Sequence, residues 1–200
     1  MKKLRILVDI DGITADTLPH WLKWIADKSG VQARMSDIDK YDFAQCPPLN
    51  SLHPSLVYGV LQDPGFTTAI PLMPGAELAL MKLMNDGHEV YLVTARSGAQ
   101  HISETFTWVK EQLPFIDARK QLIFCYDKHL LTADVLVDDQ AYTLTNYKSI
   151  HPKASVMGIK YLYNSYLELM SDPISAGVNL VEYGPMAWDS LYQLIKTKAT

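Results

Sequence analysis

Short runs of apolar residues alternate along this chain with segments that have the spacing of amphipathic helices. The predicted strands cover 4–9, 88–94, 121–126, 133–138, 155–159 and 178–181. Apolar runs of this length, separated by helices, are typical of parallel strands that are buried on both faces. The sequence therefore predicts an α/β fold in which helices cover both faces of a parallel sheet.

The connecting helices are predicted over 14–28, 76–85, 100–113 and 186–196. Residues 31–74 differ from the rest because they hold six of the 11 prolines, several aromatic residues and only short helical stretches. A structureless loop of that length is uncommon inside a compact domain. We therefore predict a small helical cap inserted after the first strand. Residues 17–74 form this cap, and residues 1–16 and 75–200 form the α/β core.

Polar side chains follow four of the predicted strands at their carboxyl ends. In chain order they are Asp9 and Asp11, then Thr94, then Lys128, then Asp138 and Asp139. The carboxyl ends of parallel strands meet at one edge of the sheet, and ligands of such folds bind at that edge. We therefore expect these side chains to form one site.

The composition of this predicted site favours a metal and a phosphate. Carboxylates that converge on one edge repel each other, and oxygen ligands without His or Cys favour Mg²⁺. A hydroxyl and a lysine suit a phosphoryl group through hydrogen bonds and charge, and an aspartate can itself be the nucleophile. The two-residue spacing of Asp9 and Asp11 places both carboxylates on one side of an extended chain. One can then attack while the other transfers a proton.

Charge and cysteine content exclude several other classes of protein. The chain has 18 Lys and Arg against 22 Asp and Glu, a formal net charge of −4, so it lacks the basic face that nucleic acid polymers require. No apolar run is long enough to span a membrane. Cys46 and Cys125 show no metal-ligand spacing and suit a reducing compartment. We expect a cytoplasmic protein that binds a small molecule, and the sequence leaves open whether it forms a homodimer.

The strand-end residues resemble the four motifs of the haloacid dehalogenase (HAD) superfamily of phosphatases. The motifs are Asp9-Ile10-Asp11-Gly12, Thr94, Lys128 and Asp138-Asp139. The stretches over 64–76, 93–96 and 126–139 are more specifically similar to the 5′(3′)-deoxyribonucleotidase family, and Tyr163-Asn164 adds a weaker similarity. The resemblance implies a HAD-type Rossmann-like core and Mg²⁺ as the cofactor.

The resemblance also implies a role for each matching residue. Asp9 is the nucleophile and a Mg²⁺ ligand, Asp11 is the general acid/base with its backbone carbonyl on the metal, and Asp138 is the carboxylate ligand that Asp139 supports. Thr94, Ala95 and Lys128 hold the phosphoryl oxygens. Phe43 and Phe66 of the cap bind the base, although aromatic residues at such positions equally often form the hydrophobic core of a cap.

The function that the resemblance implies is Mg²⁺-dependent hydrolysis of nucleoside monophosphates through an aspartyl-phosphate. The alternatives are a phosphatase of a sugar phosphate or another small metabolite, a phospho-accepting signalling domain, and a HAD-fold binding protein without catalysis. Signalling domains carry their acid pair after the first strand, whereas here the pair comes after the fourth.

Two departures from the family's pattern concern the substrate. Gln140 and Thr67 stand where the family commonly has Arg and an aromatic residue, so the preferred base and sugar stay open. Arg96 is interpreted either as a phosphate contact or as a solvated loop residue. We assign His129 no role.

Overall fold

Six parallel strands form one sheet in the part of the chain that the structure describes, a computed structural model of residues 2–170 and 172–199. The strands are β1 (Arg5–Asp9), β2 (Glu89–Thr94), β3 (Leu122–Phe124), β4 (Val135–Val137), β5 (Ser155–Lys160) and β6 (Val178–Glu182). Their order is β3-β2-β1-β4-β5-β6, and every neighbouring pair is parallel. The predicted fold class is confirmed, and every predicted strand is present with its ends shifted by at most two residues.

The α-helices are α1 (Thr17–Ser29), α2 (Pro54–Gly59), α3 (Ala76–Asn85), α4 (Ala99–Gln112), α5 (Ala118–Gln121), α6 (Ala141–Ile150) and α7 (Ala187–Thr197). The first helix begins three residues later than predicted. The reason is a tight turn after β1, in which the Ile10 carbonyl accepts the N–H groups of Thr14 and Ala15 at 2.9 and 2.7 Å. The short α5 is absent from the sequence prediction because four residues carry too little periodicity.

Both faces of the sheet are buried, and β1 shows why. Ile6 and Val8 point into the larger hydrophobic cluster, which includes residues of α1, α3, α4 and α7. Leu7 points into a second cluster, which includes Leu144 and Tyr147 of α6. Successive residues of a strand point to opposite faces, so a continuous apolar run is what a doubly covered strand requires.

The segment that follows β1 is helical, as predicted. Beyond α1 and α2 it contains 3-10 turns over Met35–Asp37, Phe43–Gln45, Leu49–Ser51 and Val60–Gln62. Its side chains Ile38, Cys46 and Leu49 are fully buried and belong to the same hydrophobic cluster as β1. The division of the chain into a core and a cap over 17–74 stays a prediction.

The order of the strands determines where a ligand binds. The chain moves outward from β1 in one direction through β2 and β3, and in the other through β4, β5 and β6. In parallel sheets a crevice forms where this order reverses, at the carboxyl ends of the strands. Here the reversal lies between β1 and β4. Within the described residues no helix has the length and apolar character that crossing a membrane requires.

Candidate active site

A cavity of about 520 Å³ opens at the carboxyl ends of β1 and β4. The volume lies in the range that is usual for small-molecule sites. The cavity brings together all nine residues that the sequence analysis assigned to the site: Asp9, Asp11, Phe43, Phe66, Thr94, Ala95, Lys128, Asp138 and Asp139.

The centre of the cavity is a buried group of ion pairs around Lys128. Its Nζ lies 2.8 Å from Asp9 Oδ1 and 2.6 Å from Asp138 Oδ2. The sheet register explains this proximity, since Val8 pairs with Val137 and the residue that follows each of them is an aspartate. Lys128 begins a 3-10 turn shortly after β3, which brings its side chain to the same edge.

Three carboxylates share this buried space. Asp9, Asp138 and Asp139 each offer an oxygen, and these oxygens lie within 4.8 Å of one another. Burial raises the pKa of Asp9 to about 7, Lys128 opposes this rise, and Asp138 and Asp11 add to it. Burial also raises the pKa of Asp139 well above its usual value, and the neighbouring Asp9 and Asp138 contribute to that rise. One lysine balances only one of the three negative charges, so the group fits a divalent cation with oxygen ligands.

The two members of the acid pair differ in how their oxygens are engaged. Asp138 uses both oxygens, since Oδ2 accepts from Lys128 and Oδ1 accepts the backbone N–H of Gln140 at 2.8 Å. Asp139 accepts a hydrogen bond from Tyr163 on Oδ2 at 2.5 Å, and in the described chain no donor bonds its Oδ1. Asp139 therefore has the less occupied carboxylate, although the sequence analysis gave it only a supporting role.

Gly12 makes room for Asp139. Its φ of 70° lies in the left-handed region, and a Cβ atom at this position would collide with the Asp139 carboxylate. Glycine is the residue that meets both requirements without strain. The glycine of the first motif is thus explained by the turn after β1 and by the close approach of the acid pair.

Asp11 is held by Arg96 through two hydrogen bonds. Nε donates to Oδ2 at 2.9 Å and Nη2 donates to Oδ1 at 2.6 Å, while Thr17 Oγ1 donates to Oδ1 at 2.7 Å. Burial favours a higher pKa for Asp11, but the Arg96 guanidinium outweighs it and the pKa falls below its usual value. The Arg96 side chain is only 7% exposed, so its interpretation as a solvated loop residue is wrong.

The aromatic residues Phe43 and Phe66 line the cavity and also belong to the hydrophobic core, and their contact with a base stays a prediction. The Phe43 ring packs on Trp21 with a centroid distance of 4.8 Å, and the Phe66 ring packs on Trp24 at 5.4 Å. Their exposed ring surfaces thus give the cavity an apolar part of its lining.

The sequence that builds this site is similar to those of known proteins. The sequence pattern of the family described as 5′ nucleotidase, deoxy (pyrimidine), cytosolic type C protein (NT5C) matches residues 2–172. The chain belongs to this family. A 5′(3′)-deoxyribonucleotidase of Clostridium acetobutylicum is 30% identical over 152 residues, which are 74% of this chain and 79% of that protein.

Solved structures show the same fold. A predicted phosphatase from Clostridium acetobutylicum has a TM-score of 0.60 and 17% identity, and the match covers 98% of this chain and 100% of the other. A HAD hydrolase of family IA, variant 3, from Entamoeba histolytica has a TM-score of 0.54 and 13% identity, and the match covers 98% and 100% of the two chains. The resemblance to the HAD superfamily is confirmed. The nucleotidase is a phosphoric monoester hydrolase of the 5′-nucleotidase type.

Sequence reasoning missed two contacts that shape the nucleotidase site. Arg96 and Asp11 are 85 positions apart, and Tyr163 and Asp139 are 24 apart. Neither separation corresponds to a helix or strand period, so only the folded chain reveals these pairs. The sequence signal for Tyr163 was the weak similarity of Tyr163-Asn164 to the 5′(3′)-deoxyribonucleotidase family. His129, to which we assigned no role, also lines the cavity, and its Nδ1 lies 3.0 Å from Asn146 Nδ2.

Proposed function

We propose that this nucleotidase is Mg²⁺-dependent and that it hydrolyses the phosphomonoester of nucleoside monophosphates through an aspartyl-phosphate on Asp9. One observation carries the proposal. The same cavity is lined by buried carboxylates around Lys128 and by the aromatic residues Phe43 and Phe66. A phosphate fits the charged group, and a flat nucleobase fits the aromatic side chains.

Asp9 is the proposed nucleophile because one of its oxygens is held and the other is available. Oδ1 accepts the backbone N–H of Ile10 at 2.7 Å and lies 2.8 Å from Lys128 Nζ. We propose that Oδ2 attacks phosphorus, so that a P–O bond to Asp9 forms and the ester P–O bond breaks. Thr94, Ala95 and Lys128 hold the remaining phosphoryl oxygens.

Asp11 is the proposed general acid and then the general base. In the first step its carboxyl proton passes to the leaving nucleoside oxygen. In the second step it takes a proton from the water that attacks phosphorus and releases phosphate from Asp9. The pairing with Arg96 favours the ionised form of Asp11, which is the form that the second step needs. The first step needs a protonated Asp11, so the Arg96 contact has to loosen when substrate binds.

We propose that Mg²⁺ is held by Asp9, Asp138 and the backbone carbonyl of Asp11, with Asp139 as a further carboxylate ligand. The burial and mutual repulsion of these acids support this assignment. When bound, Mg²⁺ supplies positive charge that offsets the carboxylates and attracts the phosphate. We also propose that residues 17–74 act as a cap over the base, because Phe43 and Phe66 reach the cavity from this segment.

The proposal is tested by measuring phosphate release with Mg²⁺ from dUMP, dTMP, AMP, a 3′-nucleotide and a panel of sugar phosphates. We expect release from nucleotides, loss of release in Asp9→Asn, and little change in Asp27→Asn, which alters an exposed aspartate of α1. Acid quenching with ³²P-labelled substrate should trap label on the parent protein and not on Asp9→Asn. Activity on sugar phosphates alone would remove the nucleotide assignment, and full activity of Asp9→Asn would remove the nucleophile.

A further inference from the structure

The segment after β5 reaches back to the active site through two stacked tyrosines. The rings of Tyr161 and Tyr163 are 5.1 Å apart and inclined by 5°. The Tyr163 hydroxyl donates to Asp139 Oδ2, and the Tyr161 hydroxyl donates to the Gly12 carbonyl at 2.8 Å. The pair therefore contacts both loops that carry the aspartates of the site.

Asn164 fixes the position of this segment. Its Nδ2 donates to the carbonyls of Asp139 and Ile159 at 2.8 and 2.9 Å, and its Oδ1 accepts the N–H of Tyr161 at 2.8 Å. The side chain is fully buried, and all its bonds are made to backbone groups. Asn164 thus ties the backbone next to Tyr163 to the backbone of Asp139. This fixes the distance between the Tyr163 hydroxyl and the Asp139 carboxylate.

Tyr163 restricts the carboxylate from one side and Gly12 from another. The Asp139 carboxylate fills the space where a side chain at position 12 would lie, and Oδ2 is engaged by Tyr163. The Tyr163 ring also packs on Tyr41 at 5.8 Å and on Phe43 at 6.0 Å. Within the described residues these contacts leave Oδ1 as the Asp139 oxygen that accepts no hydrogen bond, in a carboxylate that lies beside those of Asp9 and Asp138.

We propose that Tyr163 is a positioning residue for the metal site, which holds Asp139 so that its Oδ1 is directed toward the cation. The inference rests on the proposed function, because it assumes that the buried carboxylates bind Mg²⁺. Carboxylates that ligate metals are themselves hydrogen-bonded, and loss of such a partner typically weakens metal binding by about 10- to 100-fold. Tyr163 acts through Asp139, to which its hydroxyl donates.

The test is the affinity for Mg²⁺ in the absence of substrate, measured by calorimetry on the full chain. Tyr163→Phe keeps the ring and its packing and removes only the hydroxyl. We expect its Kd for Mg²⁺ to rise about tenfold or more. Tyr183→Phe is a matched control, because the Tyr183 hydroxyl also donates to an aspartate, Asp16 at 3.0 Å, outside the buried carboxylate group. Its Kd should equal that of the parent.

A double-mutant cycle separates positioning from a merely structural role. In the Asp139→Asn background, Tyr163→Phe should add less than a twofold change in Kd, because the carboxylate through which it acts is gone. In the parent background, the Mg²⁺ concentration for half-maximal activity should rise while the KM for nucleotide at saturating Mg²⁺ stays unchanged.

Two outcomes would overturn the inference: an unchanged Kd in Tyr163→Phe, with or without a loss of thermal stability, or multiplicative effects in the double mutant. The calorimetry uses no nucleotide. If the parent protein binds Mg²⁺ but hydrolyses no nucleotide, the proposed function is contradicted. The Mg²⁺ binding isotherms of the parent and Tyr163→Phe then still decide whether Tyr163 is a positioning residue.

Discussion

At the scale of single residues, Lys128 is a buried lysine that pairs with two buried carboxylates. It is 5% exposed and lies between Asp9 and Asp138. Removal of one partner from a buried ion pair is strongly destabilising, because it leaves charge without compensation in a place that water does not reach. We expect Lys128→Met to lower the free energy of unfolding by about 3–5 kcal/mol, measured by urea denaturation without Mg²⁺.

Lys160 provides the control for this prediction. Its Nζ also lies close to two carboxylates, 2.8 Å from Glu168 and 3.0 Å from Glu182, but on the surface of the protein. Exposed ion pairs contribute little to stability because water and salt screen them. Lys160→Met should therefore leave the urea midpoint nearly unchanged. Equal losses in the two variants would show that the number of ion pairs matters more than their burial.

Gly12 is a second residue whose substitution has a predictable effect, because of its positive φ and its close approach to Asp139. Gly12→Ala places a Cβ against the Asp139 carboxylate at a φ of 70°, whereas Gly87→Ala meets open space at a φ of 90°. Both variants incur the cost of a left-handed alanine, about 1–2 kcal/mol. Because of the added collision we expect Gly12→Ala to lose more stability than Gly87→Ala in a thermal melt, and only Gly12→Ala to lose Mg²⁺ binding and phosphatase activity. Retained Mg²⁺ affinity in Gly12→Ala would contradict the close packing described here.

The residues of the site were predictable from sequence to different degrees. Asp9 and Asp138 end or directly follow strands, so their proximity follows from the parallel sheet alone. The partners of these motifs come from loops whose approach depends on the whole fold. Arg96 was therefore named without its partner Asp11, and Tyr163 was noted only as a similarity.

At the scale of elements, α4 holds the loop that carries Phe66. Glu104 of α4 accepts the backbone N–H groups of Gly65 and Thr67 at 3.0 and 3.3 Å. Since Phe66 lies between these two residues, the carboxylate sets the position of a proposed base contact. We expect Glu104→Ala to raise the KM for a nucleotide about tenfold, the equivalent of about 1.4 kcal/mol, with little change in kcat.

A second substrate and a control variant test whether Glu104 acts on the nucleobase through Phe66. p-Nitrophenyl phosphate has no nucleobase, so its KM should not respond to Glu104→Ala. Glu111 lies exposed near the end of the same helix, and Glu111→Ala should leave the KM of both substrates unchanged. A parallel rise in KM for p-nitrophenyl phosphate would mean that Glu104 supports the phosphate-binding part of the cavity instead of Phe66.

The helices and strands were predicted from the sequence more accurately than the individual contacts of the site. The helix over Ala76–Asn85 was predicted to the residue, because an amphipathic pattern lies between Pro74-Gly75 and Asp86-Gly87. The first helix was placed three residues too early, since the turn after β1 is set by backbone hydrogen bonds that carry no periodic signal. The segment over 31–74 was correctly expected to be irregular and helical, but its individual 3-10 turns were not predicted.

At the scale of the whole molecule, the net negative charge is divided between the site and the rest of the chain. The formal net charge is −4, from 22 acidic and 18 basic residues. Asp9, Asp11, Asp138 and Asp139 with their partners Lys128 and Arg96 carry −2 of it, and the other residues carry the remaining −2. The part in the cavity is the buried part, since three buried carboxylates share one lysine there.

Because the buried carboxylates outnumber their lysine partner, we expect bound Mg²⁺ to raise the melting temperature of the protein. A ligand that binds only the folded state stabilises it by about 2.7 kcal/mol at 100 times its Kd, and each kcal/mol shifts the Tm of a protein of this size by about 2–4 °C. Mg²⁺ at that excess should therefore raise the Tm by about 5–11 °C above its value in EDTA. Sodium chloride of equal ionic strength should raise it far less, because screening acts weakly on buried charges. The Mg²⁺-dependent increase should be much smaller in Asp139→Asn at the same Mg²⁺ concentration. An equal response to sodium chloride, or an undiminished one in Asp139→Asn, would place the stabilising effect of Mg²⁺ on the protein surface and not in the cavity.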